Sequence, residues 1–129
     1  MAIKVAYIGY LVIDIPSPKG LNPWKITNGI NEEHFTRVLR EDPKQKGLLY
    51  AGTETGMYIS FNDGKEWKPF QLNLPIVPIT DLTIKDNNLI VATQGRSLWM
   101  IDDLSVLHQL FNNDVKGNHL FKPKDTYRM

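Results

Sequence analysis

The sequence predicts an all-β fold in which a unit of about 43 residues occurs more than once. Three observations lead to this prediction: segments that match at a nearly constant separation, apolar runs of only four to seven residues, and turn-forming residues between those runs. Gly, Pro, Asn and Asp at these connections favour tight turns between antiparallel strands. The length of 129 residues is typical of one domain with a substantial core.

The repeat is visible as three pairs of matching segments. The first pair aligns without a gap, placing Thr36 on Thr80, and the second pair places Ala51 on Ala92. Three matches at nearly the same separation indicate a repeat unit. The pairs are residues 35–42 with 79–86, residues 48–60 with 89–101, and Trp24-Lys25 with Trp67-Lys68.

The N-terminal apolar run, Val5 to Ile15, could imitate a secretory signal. Asp14 interrupts the run, and Pro16 and Pro18 follow it without a small-residue cleavage site. The run is also too short to cross a bilayer. We therefore expect a buried strand or strand pair here and no targeting segment.

Two further units follow along the chain. Four short antiparallel strands in about 43 residues are typical of a β-propeller blade. The sequence therefore predicts about two to two-and-a-half four-stranded blades in a single partial propeller: a degenerate remnant at 1–30, a blade at 31–75, a second blade at 76–111 and a C-terminal extension at 112–129. The expected strands lie at 35–41, 48–53, 57–61 and 67–72 in the first blade and at 79–85, 89–93 and 98–101 in the second.

Two segments carry helical spacing. Residues 31–40 read as a capped helix when taken alone, with Phe35 and Leu39 at helical spacing, but their match to 79–86 predicts a strand. Residues 102–110 have no such match. There, a short helix or turn is expected to replace the fourth strand, with Asp102 or Asp103 able to cap it.

The most motif-like stretch is residues 60–67, Ser-Phe-Asn-Asp-Gly-Lys-Glu-Trp, which fits Ser-x-(Asp/Asn)-x-Gly-x-x-Trp. We expect Ser60 to begin the turn, the Asn62 oxygen to accept backbone N–H groups within it, and Gly64 to take the left-handed conformation. Trp67 is expected to bury its ring between neighbouring blades. A calcium loop needs more oxygen ligands than this short turn offers, so no metal role is predicted.

This pattern resembles the Asp-box of sialidase-type BNR repeats, and residues 24–129 resemble the C-terminal blades of sortilin-like BNR-repeat proteins, which are often labelled glycosyl hydrolases. Residues 17–24 look like a decayed copy of the box. The resemblance implies a segment that associates with further blades of a larger protein or with copies of itself. Relatives of this kind are often exported. Motifs that carry the resemblance include Arg40-Glu-Asp-Pro43, Leu49-Tyr-Ala-Gly-Thr-Glu54, Gln71-Leu-Asn-Leu-Pro75, Ala92-Thr-Gln-Gly-Arg-Ser97 and Trp99-Met-Ile-Asp-Asp-Leu104.

Candidate ligand-binding residues lie on the loops opposite the Asp-box turn. In a propeller these loops open on one face, which brings together Glu54, Gln94 and Arg96, with His34 at the rim. Arg96 could hold a carboxylate bidentately, although Glu54 and Arg96 could instead make polar contacts between blades. His108 and His119 have no evident partners in the sequence.

Two functions remain open at this point. One is a non-catalytic binding or scaffolding module that contacts glycans or peptides; the other is part of a glycoside hydrolase completed by other blades or chains. Hydrolysis needs two carboxyl groups roughly 5 to 9.5 Å apart, and no catalytic residue is assigned. With 15 basic and 14 acidic residues, no cysteine and only three histidines, we expect no nucleic-acid or membrane partner and no metal or cofactor.

Overall fold

A computed structural model describes residues 5–7, 10–13, 24–25, 28–113 and 116–128, and this part of the chain is mostly β-structure. The strands form antiparallel sheets, and one short helix follows the last strand. Within the described ranges, no helix has the length and apolarity needed to cross a membrane. The elements are β1 (Val5–Tyr7), β2 (Tyr10–Ile13), β3 (Trp24–Lys25), β4 (Thr36–Glu41), β5 (Leu49–Thr53), β6 (Met57–Ser60), β7 (Lys68–Pro69), β8 (Ile79–Lys85), β9 (Asn88–Thr93), β10 (Leu98–Ile101) and α1 (Ser105–Asn112).

Each sheet is a meander of consecutive strands. The order is β4-β5-β6-β7 in the first sheet and β8-β9-β10 in the second, while β1-β2-β3 pair at the N-terminal side. The expected strands are confirmed in both sheets, although β7 is shorter than predicted. The segment with ambiguous helical spacing is strand β4, and a helix follows β10, as expected. The proposed decayed Asp-box, residues 17–24, lies outside the described residues except at its last position.

The two sheets repeat each other in pairing register. A bulge interrupts β4 between Thr36 and Val38, and another interrupts β8 between Ile79 and Asp81. Thr36 pairs with Thr53 in the first sheet as Ile79 pairs with Thr93 in the second. Placing the two bulges on each other therefore makes Thr36 equivalent to Ile79.

The predicted alignment is consequently wrong by one residue on the first two strands of the unit. Thr36 does not correspond to Thr80, and Ala51 corresponds to Val91 rather than to Ala92. The third strand keeps its predicted alignment, because Met57 pairs with Gly52 as Leu98 pairs with Ala92. Bulges and turn lengths set the register of a strand, and a slip of one residue exchanges its two faces.

The main core lies between the first and second sheets. Side chains from both sheets pack together there, and Leu104, the residue before α1, is fully buried among them. Such burial of apolar side chains, each worth roughly 1.5–3 kcal/mol, is the main stabilising term. The core residues include Val38, Tyr50, Met57 and Ile59 from the first sheet, and Ile79, Leu82, Leu89 and Val91 from the second.

A second core cluster lies on the opposite face of the first sheet. It contains Trp67, which is 2% exposed, packed with Leu39, Leu49, Ala51 and Tyr58. The first sheet is therefore apolar on both faces. This pattern is typical of a sheet that is covered on both sides.

The turn before Trp67 is closed by side-chain hydrogen bonds. The Ser60 hydroxyl accepts the Gly64 N–H at 2.9 Å, and the Asn62 carboxamide oxygen accepts the Glu66 N–H at 2.9 Å. Gly64 has φ +83°, the left-handed conformation that the sequence predicts for it. The turn then delivers Trp67, whose N–H donates to the Asn28 carbonyl at 2.8 Å.

We expect Trp67→Ala to lower the free energy of unfolding by about 3–5 kcal/mol, because it empties the centre of the second cluster. Chemical denaturation measures this quantity. Tyr127→Ala is the control, since that ring is 99% exposed and its loss should cost almost nothing. A Trp67→Ala protein as stable as the control would show that the turn does not anchor the sheet.

Candidate functional site

The β5–β6 and β9–β10 turns are anchored in the same way at one end of the two sheets, which we call the loop end. Thr53 donates through its N–H and its hydroxyl to the Gly56 carbonyl, at 2.8 and 3.0 Å. Thr93 donates through the same two groups to the Ser97 carbonyl, at 3.4 and 2.6 Å. The four candidate ligand-binding residues all lie on or beside this end.

Glu54 and Gln94 occupy equivalent positions at the loop end. The Glu54 N–H donates to the Phe35 carbonyl at 3.1 Å, and the Gln94 N–H donates to the Pro78 carbonyl at 3.0 Å. Their side chains differ in chemistry, since one is a carboxylate and the other a neutral amide. The equivalent positions 54 and 94 therefore supply one carboxylate and not a pair.

Glu54 is engaged by a neighbouring arginine. The Arg37 Nη2 lies 2.6 Å from Glu54 Oε1, and Nε donates to the same oxygen at 2.8 Å. Both side chains are more than a third exposed, so the pair is worth little for stability. Its partner is Arg37 on the same sheet, so this ion pair of Glu54 is not the polar contact between blades that the sequence offered as an alternative.

His34 is held at the rim of the loop end. Its Nδ1 lies 2.8 Å from the Tyr58 hydroxyl, and the two rings are tilted with centroids 6.0 Å apart. Tyr58 belongs to the second core cluster, so this contact fixes the imidazole over the first sheet. His34 is thus a positioned, half-buried group, and its second ring nitrogen has no hydrogen-bond partner among the described residues.

Gln94 and Arg96 form the open part of the loop end. Both are exposed, and within the described residues neither the Gln94 carboxamide nor the Arg96 guanidinium has a hydrogen-bond or ion-pair partner. The backbone below them is rigid, because the Trp99 indole N–H donates to the Arg96 carbonyl at 2.8 Å. A guanidinium on a fixed turn is suited to bind a carboxylate or a similar anion.

A small apolar pocket opens beside these turns. Its lining includes Met57, Phe70, Leu74, Trp99 and Met100. The pocket volume of about 30 Å³ is far smaller than a drug-sized ligand needs. Any ligand at the loop end would therefore lie on the surface and not in a deep cavity.

A buried polar cluster at the opposite end joins the β4–β5 loop to α1. Asp42 has no exposed side-chain surface; its Oδ2 accepts the Tyr50 hydroxyl at 3.0 Å and lies 2.8 Å from His108 Nε2. Its other oxygen accepts the N–H groups of Lys44 and Gln45 at 2.9 and 3.1 Å. The sequence shows no evident partner for His108, and the fold brings it to Asp42.

The geometry of the Asp42 cluster does not match that of a catalytic triad. The only buried side-chain oxygen without a hydrogen bond among the described residues is Ser105 Oγ, on the helix that carries His108. Because Ser105 makes no hydrogen bond to His108, these groups do not form the serine–histidine–aspartate relay of hydrolases. Burial raises the pKa of the Tyr50 phenol far above its ordinary value, and the adjacent Asp42 carboxylate raises it further.

Asp103 has the turn role at the start of α1 that the sequence analysis considered for Asp102 and Asp103, whereas Asp102 makes an ion pair. Asp103 has φ +68°, and its carboxylate accepts the Ser105 N–H at 3.1 Å at the start of α1. Desolvation raises the pKa of Asp103, but hydrogen bonds from Ser105, Lys124 and Asn87 outweigh it and leave the pKa below its usual value. Asp102 pairs with the Lys124 ammonium at 2.8 Å.

Comparisons with protein-family models, curated proteins and solved structures give no significant match.

The Tyr50–Asp42 contact predicts a specific alkaline instability. The folded phenol resists ionisation, whereas the unfolded phenol ionises near its ordinary pKa of about 10. Its contribution to stability is therefore complete below about pH 10 and is lost as the pH rises further. We expect Tyr50→Phe to flatten the decline of unfolding free energy between about pH 9 and 11, measured by urea denaturation.

Tyr127→Phe is the matched control, because it removes the same hydroxyl from a ring that is 99% exposed. This control should keep the alkaline decline of the parent protein. An identical decline in Tyr50→Phe would mean that the buried phenol is not the group responsible.

Proposed function

We propose that this chain is a segment of a BNR-type, Asp-box β-propeller related to sortilin-like proteins, and that it acts as a non-catalytic binding or scaffolding module. The observation that carries the proposal is the stacking of one sheet on a second that repeats its pairing register, bulge and turn anchors. Successive sheets stacked face to face are the building principle of propellers.

The order of strands within the stack supports the same proposal. Cα atoms of β1 and β4, and those of β4 and β8, approach within 8 Å. The first strand of each sheet therefore lies beside the first strand of the next sheet. Such an arrangement places the first strands on the inside of a fan of sheets, as in a propeller whose blades surround a central channel.

The outer face of the second sheet supports a continuation of the stack. Leu98 and Met100 on this face are 71% and 61% exposed. Leu98 in the second sheet is equivalent to Met57 in the first sheet. Met57 is buried because the second sheet covers it. We propose that further blades, from a larger protein or from other copies, cover this face.

One difference affects how such a blade would sit. Ala92 stands where the first sheet has Gly52. A methyl group at this position keeps a covering sheet farther away than the second sheet lies from the first. The next blade would therefore pack less closely than the two described here.

The loop end is the proposed ligand surface. Arg96 and Gln94 offer a cation and an amide from one rigid turn, with the Glu54–Arg37 pair on the equivalent turn beside it. This set suits the carboxylates and hydroxyls of an acidic glycan or the carboxylate of a peptide. The small size of the neighbouring pocket favours an extended ligand on the surface.

Binding is favoured over glycoside hydrolysis by the carboxylates at this end. Glu54 is bonded to Arg37, and its equivalent on the next turn is the neutral Gln94. The two-carboxylate arrangement of most glycosidases is therefore not built from the repeated positions. The side chains at the loop end thus support ligand binding rather than glycoside hydrolysis.

We expect Arg96→Ala to weaken binding of carboxylate-bearing glycans or peptides by about tenfold or more, because a charged bidentate contact is lost. An array of sialylated glycans and of peptides with free C-terminal carboxylates identifies the ligand, and calorimetry measures its affinity. Lys85→Ala is the control, since it removes an exposed cation at the other end of the second sheet. Equal loss in both variants, or no binding on the array, would contradict this proposal.

A further inference from the structure

The outer edge of β10 is unpaired within the part of the chain that the structure describes. β10 pairs with β9 on one side, and no strand of the described chain pairs with its other side. Ser97, just before β10, accepts the Thr93 N–H from β9. Because backbone groups alternate along a strand, Trp99 also faces β9, while the N–H and C=O groups of Leu98 and Met100 point outward.

The first sheet contains the same edge in its paired form. There, β7 lies against β6, and the Phe70 N–H donates to the Met57 carbonyl at 2.8 Å. Leu98 is the equivalent of Met57. The Leu98 carbonyl is therefore an acceptor at the position where, in the first sheet, the Met57 carbonyl receives the N–H of a neighbouring strand. The backbone of β10 is therefore already shaped for a further antiparallel strand.

The segment after β10 is held away from this edge. Leu104, just before α1, is fully buried, and His108 on α1 contacts Asp42. At the end of the helix, Asn112 Nδ2 donates to Gln45 Oε1 at 3.2 Å. In the described tail, Lys122 is bonded to Gln109, and Lys124 is bonded to the two aspartates before the helix.

The edge also lacks the features by which proteins prevent strand pairing. Its sequence, Leu98-Trp-Met-Ile101, has no charge and no proline, and its register with β9 has no bulge. Leu98 and Met100, whose backbone groups point outward, also carry the exposed apolar side chains. Pairing would satisfy the backbone and cover part of this apolar surface.

We propose that β10 pairs with β10 of a second copy of this chain, antiparallel and about a twofold axis through Trp99. In this register Leu98 of each copy lies opposite Met100 of the other, so every outward N–H and C=O finds a partner. A twofold contact needs only one self-complementary surface, which this edge provides. The result is one continuous six-stranded sheet across two molecules. This inference does not depend on the propeller proposal or on any ligand.

Sedimentation equilibrium over a range of concentrations tests the pairing directly. The parent protein should show a monomer–dimer equilibrium. Met100→Pro removes an outward N–H while leaving the β9–β10 hydrogen bonds in place, and it should weaken dimerisation by about tenfold or more. Ile76→Ala is the control, because Ile76 is 81% exposed and lies outside the edge.

A charge exchange tests the register without relying on proline. Leu98→Lys alone should weaken the dimer, and the double variant Leu98→Lys/Met100→Glu should restore it, because each introduced lysine then faces the introduced glutamate of the other copy. Circular dichroism checks that each variant is folded. A parent protein that stays monomeric, or a dimer that survives in Met100→Pro, would overturn the pairing.

Discussion

The close approach of the first and second sheets at Gly52 is the constraint on which the rest of the structure depends. A Cβ at this position would lie 2.5 Å from Ile79 Cγ2 and 2.7 Å from Val38 Cγ1. The absence of a side chain lets Ile79 and Val38 fill the space above the backbone. Because the two sheets meet so closely, most of the apolar residues between them are buried, and the main core is formed.

The stacking at Gly52 also determines what is left open. It aligns the β5–β6 and β9–β10 turns at one end, where Arg96 and Gln94 are exposed above a rigid backbone. At the other end it brings α1 to the β4–β5 loop, where Asp42 accepts from Tyr50 and contacts His108. The same stacking leaves the second sheet with exposed apolar side chains on its outer face and with an edge to which no described strand is paired.

Local pattern was enough to predict the strands, the Asn62–Gly64 turn and the helix after β10, because turn residues and apolar runs act over a few positions. The register of the repeat was not predictable in the same way. No distinctive residue marks the bulge at Arg37, so the alignment predicted from the sequence is displaced by one residue. The Asp42–His108 contact joins residues 66 positions apart, and no spacing rule connects an aspartate in a hairpin loop with a histidine on a distant helix. The repeat made it possible to predict that Glu54, Gln94 and Arg96 lie at one end. The pairing of Glu54 with Arg37 could be seen only in the folded sheet.

The unfolding free energy of Gly52→Ala tests the stacking most directly. The added methyl group has no space between Ile79 and Val38, so we predict a loss of about 1–3 kcal/mol or more from forced repacking. Ala92→Ser, which adds bulk at the equivalent position on the open face, should leave stability nearly unchanged. If Gly52→Ala were as stable as Ala92→Ser, the two sheets would not be in close contact, and the stacked repeat on which this account rests would be wrong.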